Sequence, residues 1–501
     1  MAEYSIGVLT GWDGASYTVL TPLNNSEGFR VFTPFPESNV YYVSEAGDDT
    51  NDGLTPETSL RTSGVALKKM RDGFPDFVLF NCGDTFTGSG PEVRRGFGSG
   101  AGNSRRAVIA YYGDVSLGRP RIVDQGWYED KGFTDTNILG LEFYNSTKDD
   151  SLPGFDINNV ANYKISFVST PGTPVGNLHF EDCVFDQYKV QVQEFSNELP
   201  YNITLRRIIH KGNWEPNTGY SSDPKPSGMY LEKVQGYSIE QTFWEYGGWS
   251  PTAPTAGASL YNHNIYIQYS CNNDFKYTGN INCDGSSHGL HARAGGVVKD
   301  SVFSRNSVQV SMGYTGTGGS PLPAGYIGQM ENLAVCETAS MRDKGDINTG
   351  GGFSTSAAWG VVFDNYGEAS LYARDVSVGL LAPTTDRELV TERDFYLDGG
   401  PAGPNGPFFY NTQSYHITSD TQGDGLYQDP GRTLGDYFLH IQANGDLQDM
   451  INLGVIPNLT FGSDNHENFK SICRNRYMQK WHDAIDGKTV ADWINAGYAP
   501  L

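Results

Sequence analysis

Leu178-His-Phe-Glu-Asp-Cys-Val-Phe185 alternates apolar with polar side chains and closes on the apolar pair Val184-Phe185. Alternation with a period of two is the pattern of a strand with one buried face. The pattern returns in Ile203-Thr-Leu-Arg-Arg-Ile-Ile209, Tyr237-Ser-Ile-Glu-Gln-Thr-Phe-Trp244, Gly296-Val-Val-Lys-Asp-Ser-Val-Phe303 and Gln329-Met-Glu-Asn-Leu-Ala-Val-Cys336. Equivalent apolar positions are separated by 23 residues from Phe185 to Ile208, 35 from Ile208 to Phe243, 22 from Ile281 to Phe303 and 32 from Phe303 to Val335. A repeat of about 20–30 residues, lengthened by insertions at one place per repeat, is the mark of a solenoid. Its unit is made of strands, so the spacing predicts an all-β, right-handed parallel β-helix in which each coil stacks on the next around an apolar column.

The 501 residues carry 35 basic and 58 acidic side chains, a formal net charge of −23. Aromatic residues make up 13%, enough apolar area to exclude a disordered chain. There is no basic stripe for nucleic acid and no apolar run long enough for a transmembrane helix. The start, Met1-Ala2-Glu3-Tyr4-Ser5, lacks the basic and apolar regions of a signal peptide, so a signal was either removed or never used. Cysteines stand at 82, 183, 271, 283, 336 and 473 without a CxxC pair, which predicts reduced, buried thiols and no cysteine metal site.

Solenoid ends need covering. Ser59–Arg71 reads as an amphipathic helix with Leu60, Val65, Ala66, Leu67 and Met70 on its apolar side, stopped by Gly73 and able to cap the first coil. Residues 1–38 form an aromatic arm with Trp12, Tyr17, Phe29, Phe32 and Phe35; residues 39–430 form the β-helix; residues 431–501 read as mostly helical. In that last region Phe469, Ile472, Cys473, Tyr477 and Trp481 share a helical face, and Thr489 is placed to cap a short final helix.

Val40-Tyr-Tyr-Val-Ser-Glu-Ala-Gly-Asp-Asp-Thr-Asn-Asp-Gly-Leu-Thr-Pro56, followed by the helix and by Gly83-Asp84, resembles the opening of pectate-lyase-like β-helix proteins. That resemblance covers roughly residues 40–90 and implies a fold that hosts lyases, hydrolases, epimerases and phage tailspikes. Ser287-His-Gly-Leu-His-Ala-Arg-Ala-Gly-Gly296 resembles, more locally, the arginine coil of the alginate lyase and chondroitinase B family. The resemblance implies that Arg293 assists catalysis. It also places Cys271 near the position of that family's lysine base, and Tyr266, Gln268 and Tyr269 where acidic calcium ligands would stand.

β-Elimination on a uronate needs a cation at the carboxylate, a base for the C5 proton and an acid for the leaving oxygen. Arg293 could supply the first, and His288, His291 and His263 could move protons near neutral pH. Because Tyr266 lies three residues after His263 on an alternating strand, one of that pair is expected to face inward. Hydrolysis would instead need two carboxyls about 5–9.5 Å apart. Glu240, with Glu232 and Glu245, or Asp182 with Asp186, are candidates. Trp214, Tyr230, Trp244 and Trp249, with Tyr266, could stack on sugar rings. Asp48-Asp-Thr-Asn-Asp-Gly53 could hold Ca2+, although an Asx turn accounts for it as well.

The predicted function is a phage tailspike or receptor-binding β-helix that binds, and could depolymerise, a host surface polysaccharide. The arm would dock on virion or tail proteins and the chains could pack as a homotrimer. The alternative is a secreted bacterial polysaccharide lyase or glycoside hydrolase.

Overall fold

The structure, a computed structural model, describes residues 4–10 and 16–22, residues 32–345 with gaps, the strands 359–364, 370–378, 393–398, 408–410, 412–414 and 426–428, Lys470, and the helix 487–497. The chain divides into two compact units. One comprises Met1–Lys211, Tyr230–Ser238 and Lys480–Asp483, the other Gly212–Met229, Ile239–Gln479 and Ala484–Leu501.

The first unit is a stack of parallel strands. Val40–Val43, Phe77–Asn81, Ala107–Tyr112, Phe133–Leu139, Val175–Glu181 and Tyr201–Arg206 pair in that order, each parallel to the next. Thr85–Thr87, Arg121–Val123, Glu142–Tyr144 and Val184–Asp186 continue the same coils in a shorter row. Glu92–Arg94, Gly126–Glu129, Lys164–Ser169 and Lys189–Glu194 form a separate parallel sheet. Inward rings stack from coil to coil, as Phe143 does on Phe185 at 5.3 Å, and across one coil between its two sheets, as Phe133 does on Phe167 at 5.1 Å. Each such ring, fully buried, contributes roughly 1.5–3 kcal/mol.

The second unit repeats the scheme. Phe243–Gly247, Ile281–Cys283, Gly296–Ser304, Ile327–Val335 and Ser370–Val378 pair in parallel, and Phe303 faces Val335 in the register expected from their 32-residue spacing. His263–Ile267, His288–Ala292, Val308–Gly313, Trp359–Asp364 and Arg393–Asp398 make the facing sheet. A helix, Gly487–Gly497, buries Val490 and Ala491 and fixes its first amide on the carbonyl of Gly279 at 2.9 Å.

Several strands read as continuous are in fact bent. Val175–Glu181 gives way to Val184–Asp186 at Asp182, with φ 57°, and Tyr201–Arg206 gives way to Ile209–Asn213 at Arg207, with φ 52°. Left-handed backbone is costly for a residue with a Cβ, least so for Asn and Asp. A second row of positive-φ residues, inside the strands, is joined by a polar staircase: Asn177 donates to Asp135 at 2.7 Å and Asn202 to Asn177 at 2.7 Å. The bend also sets the register, since Phe185 pairs with His210 and not with its neighbour two residues earlier.

The first helix is shorter than its apolar pattern, running over Ser63–Lys69. Leu60 is held away from it by a parallel bridge to Val43, and the Asp49 carboxylate accepts the amides of Arg61 and Thr62. Asp48 accepts from the amide and hydroxyl of Thr50, and Asp52 accepts from the Leu54 amide and the Thr58 hydroxyl, so the acidic loop is a set of Asx turns. The N-terminal arm contains an antiparallel pair, Tyr4–Thr10 with Ser16–Pro22, and Phe32 packs on Phe77, Val108 and Ala110. Trp12, Phe29 and the expected helical face Phe469, Ile472, Cys473, Tyr477 and Trp481 lie outside the described residues. Thr489 lies inside the final helix, two residues past its start, and so does not cap it. The five described cysteines are buried and form no disulfide with one another.

Candidate functional site

The second unit brings His263, His288, His291, Tyr266 and Arg293 together on two neighbouring rungs of one sheet. His263 pairs with His288 and Tyr266 with His291. The rings touch: His288 stacks on His291 at 4.3 Å, His263 meets His288 edge-on at 4.8 Å, and Tyr266 stacks on His291 at 5.3 Å. His263 also meets Tyr266 edge-on at 4.7 Å, so the two share one face instead of alternating.

The alternation rule fails here for an identifiable reason. Asn264 and Ile265 are consecutive and both point into the core. The Asn264 amide accepts from Gly247 N at 2.6 Å and donates to Asn282 Oδ1 at 2.7 Å and to the Cys283 carbonyl at 2.8 Å. One rung on, Gly289 and Leu290 repeat the arrangement. A Cβ on Gly289 would lie 2.6 Å from the Asn306 amide nitrogen, so only glycine fits. Two inward residues in a row return 263 with 266, and 288 with 291, to the same face.

The three imidazoles are almost closed off from solvent, at 3%, 2% and 9% exposure for His263, His288 and His291. Burial pushes His288 down to about 3, with the Arg293 charge adding to the effect. Burial likewise holds His263 and His291 well below the ordinary histidine value, helped by their neighbouring imidazoles and by Arg293. They are therefore neutral near pH 7 and, contrary to the sequence expectation, poor proton shuttles there. An efficient general acid or base titrates near the working pH.

Arg293 Nη1 donates to the Tyr266 hydroxyl at 2.6 Å and to Gln268 Oε1 at 2.7 Å, and the guanidinium lies 5.0 Å from the Tyr269 ring centroid. Tyr269 is 40% exposed, so the rim of the site is aromatic and polar while its floor is imidazole. Ser287, which the sequence reading passed over, binds the floor together. Its hydroxyl lies 2.7 Å from His263 Nδ1 and 3.0 Å from His288 Nδ1, and it donates to the carbonyls of Leu260 or Asn262, each 2.9 Å away. Its only sequence signal was adjacency to His288.

Other candidates fall elsewhere. Trp214 and Trp244 are buried, and the Trp244 indole donates to Thr242 Oγ1 at 2.5 Å; both are core side chains with no face for a sugar. Trp249 is half-buried, its indole N–H on the Asp284 carbonyl and Lys344 Nζ 5.6 Å from its ring. Tyr230 belongs to the first unit, where Lys189 Nζ lies 5.3 Å from its ring. Glu240 is half-buried at the end of strand Gln235–Glu240, on a different sheet from His263 and His288. Glu245 is buried beside Lys470, while Asp182 is paired with Arg119 and Asp186 with Lys211.

No family model matches the chain, and no curated protein sequence matches it. Solved structures resemble it loosely. One titled a glycoside hydrolase is 9% identical over 82% of this chain and 100% of its own, with a TM-score of 0.40. A GH136 lacto-N-biosidase from Eubacterium ramulus is 11% identical over 78% and 67%, with a TM-score of 0.35. A rhamnogalacturonan lyase is 11% identical over 78% and 86%, with a TM-score of 0.34. At this level the likeness carries no functional weight, which falls to the residues of the site.

Proposed function

We propose that this chain binds an acidic polysaccharide and cleaves it by β-elimination at the Arg293 site. The observation that carries the reading is a permanent cation fixed in place. Arg293 is held by Tyr266 and Gln268 at hydrogen-bond distance, beside an exposed aromatic ring. A uronate carboxylate pairs with a guanidinium, and the charge that develops there as the C5 proton leaves is stabilised by a preorganised cation. The C5–H electrons form the C4–C5 double bond, the C4–O glycosidic bond breaks, and the leaving oxygen takes a proton. In this reading Tyr266, as a phenolate held by Arg293, takes the C5 proton and passes it to the leaving C4 oxygen, because the depressed imidazoles are unsuited to the task. Tyr269, Tyr266 and Gln268 receive the sugar at the rim. The pectate-lyase-like β-helix that residues 40–90 resemble is the fold proposed to carry this site.

The test is a panel of acidic and neutral polysaccharides with the full chain, following ultraviolet absorbance of the unsaturated uronate and, separately, new reducing ends. Elimination gives both signals; hydrolysis gives reducing ends alone. The expected result is absorbance on a uronate polymer, lost in Arg293→Ala and poorly restored by Arg293→Lys, since lysine is a point charge without the planar fork. Full activity in Arg293→Ala, or cleavage of neutral glycans only, would remove the reading. The proposed setting is a phage tailspike, tested by adsorption to host cells and by a trimeric native mass.

A further inference from the structure

We infer that His263, His288 and His291 form a binding site for one transition-metal ion of the Zn2+, Co2+ or Cu2+ class. One ring nitrogen from each lies within 4.8 Å of the other two, the one such group of His, Cys, Asp or Glu among the described residues. In a tetrahedral zinc site with Zn–N of about 2.0–2.1 Å, ligand nitrogens lie roughly 3.3 Å apart. Metal binding would draw the nitrogens together by up to about 1.5 Å through ring rotation. Three nitrogen donors select borderline metals, not Ca2+, which takes oxygens.

A second observation points to a ligand. Nδ1 of His291 is buried and has no hydrogen-bond partner, in a residue that is 9% exposed. An unsatisfied buried polar atom costs roughly 1–3 kcal/mol, and a bound ion or its water would relieve it. Ser287 supplies the outer contact that metal-binding imidazoles usually require. Its single proton serves a carbonyl of Leu260 or Asn262, which can only accept. With that proton on a carbonyl, the two Nδ1 atoms that reach the Ser287 oxygen are the donors, 2.7 Å away in His263 and 3.0 Å in His288. That fixes both rings with the lone pair on Nε2, the ligating form of a neutral imidazole.

The groups facing the site include two cations. Arg293 adjoins the rings, and Lys225, 5.0 Å from the Tyr261 ring, contributes charge at His263. A dication beside them favours an anion as its fourth ligand, either hydroxide or the carboxylate of an acidic sugar. The site therefore goes beyond the glycan reading while remaining compatible with it.

The experiment uses the untagged full-length chain, dialysed against EDTA and then titrated with ZnCl2 by calorimetry and with CoCl2 by visible absorbance. The expected result is one equivalent per chain and the intense visible bands of tetrahedral Co2+. Ser287→Ala should weaken binding by about 10–100-fold, the range for lost outer-shell support, and His291→Ala at least as much. Absence of stoichiometric uptake by the wild-type chain overturns the inference, as does uptake unchanged in His291→Ala. Because the wild-type titration decides by itself, a variant that fails to fold does not shelter the idea. Binding without polysaccharide cleavage retains the metal site and removes the glycan reading. Cleavage by a chain that takes up no metal does the reverse.

Discussion

His288 and His291 lie three apart on one strand, yet their rings stack at 4.3 Å with only 9° between their planes. On a regular strand they would point to opposite faces. The stack exists because Gly289 lets the Asn306 amide occupy the space a Cβ would need. Gly289→Ala should therefore destabilise the second unit by about 1–3 kcal/mol, the usual cost of overpacking. It should also weaken Co2+ binding by separating the rings. Chemical denaturation and the cobalt titration check the two effects, and an unchanged midpoint would show that Asn306 moves aside at no cost.

The coil repeat was legible because core burial writes itself into sequence as alternation, and Phe303 opposite Val335 was readable to the residue. The coincidence of His263, His288, His291 and Arg293 was legible as a cluster within one coil step. Their orientation was not. It depends on Asn264, Asn282 and Asn306 forming a buried amide network across coils, with Asn306 also accepting from Gly285 N at 2.6 Å. Asparagine between apolar residues reads as a turn, and only the fold shows which amides meet. The tryptophans misled for a related reason: Trp244 has the alternating context of an inward residue, and its indole N–H is satisfied by a local threonine.

Acid stability should depend on Asp76 in the first unit. Burial alone would raise its carboxyl. Hydrogen bonds from Arg71, both backbone and guanidinium, and from Asn39 N outweigh that and hold it below the ordinary 3.8. A depressed folded-state value means a contribution fully present above the unfolded value and lost as pH falls through the folded one. Asp76→Asn should cost about 2 kcal/mol at pH 7 and proportionally less below pH 3. Thermal melts from pH 7 down to 2 test this. Parallel wild-type and variant curves across the acid limb would contradict it.

Salt should help, not hinder, the glycan reaction. The formal charge of −23 repels an acidic polymer as a whole, while Arg293 attracts it only at close range. Added salt screens the long-range repulsion first, over a Debye length of about 10 Å at 0.1 M. KM for an acidic polysaccharide should therefore fall as NaCl rises from about 10 to 150 mM, with kcat little changed. Steady-state rates across that range decide it. A KM that climbs with salt would mean that local cations dominate the encounter.

Lys470 tests whether a distant segment is integral to the second unit. Its ammonium is buried, 2.7 Å from Asp284 Oδ2 and 3.9 Å from Glu245, and lies 4.1 Å from the Tyr246 ring centroid. Asp284 sits at φ 51°, at the turn that leads through Gly285 and Ser286 to Ser287 and His288. Lys470→Met keeps the stem and removes the charge, leaving buried carboxylates without that cation. The expected loss is about 3–5 kcal/mol. Asp284→Asn should recover part of it in the double variant, because removing both members of a buried pair is less harmful than removing one. Denaturant midpoints for the two single variants and the double complete the cycle. Strict additivity would show that the pair does not interact, and a loss below about 1 kcal/mol would place Lys470 among ordinary surface lysines.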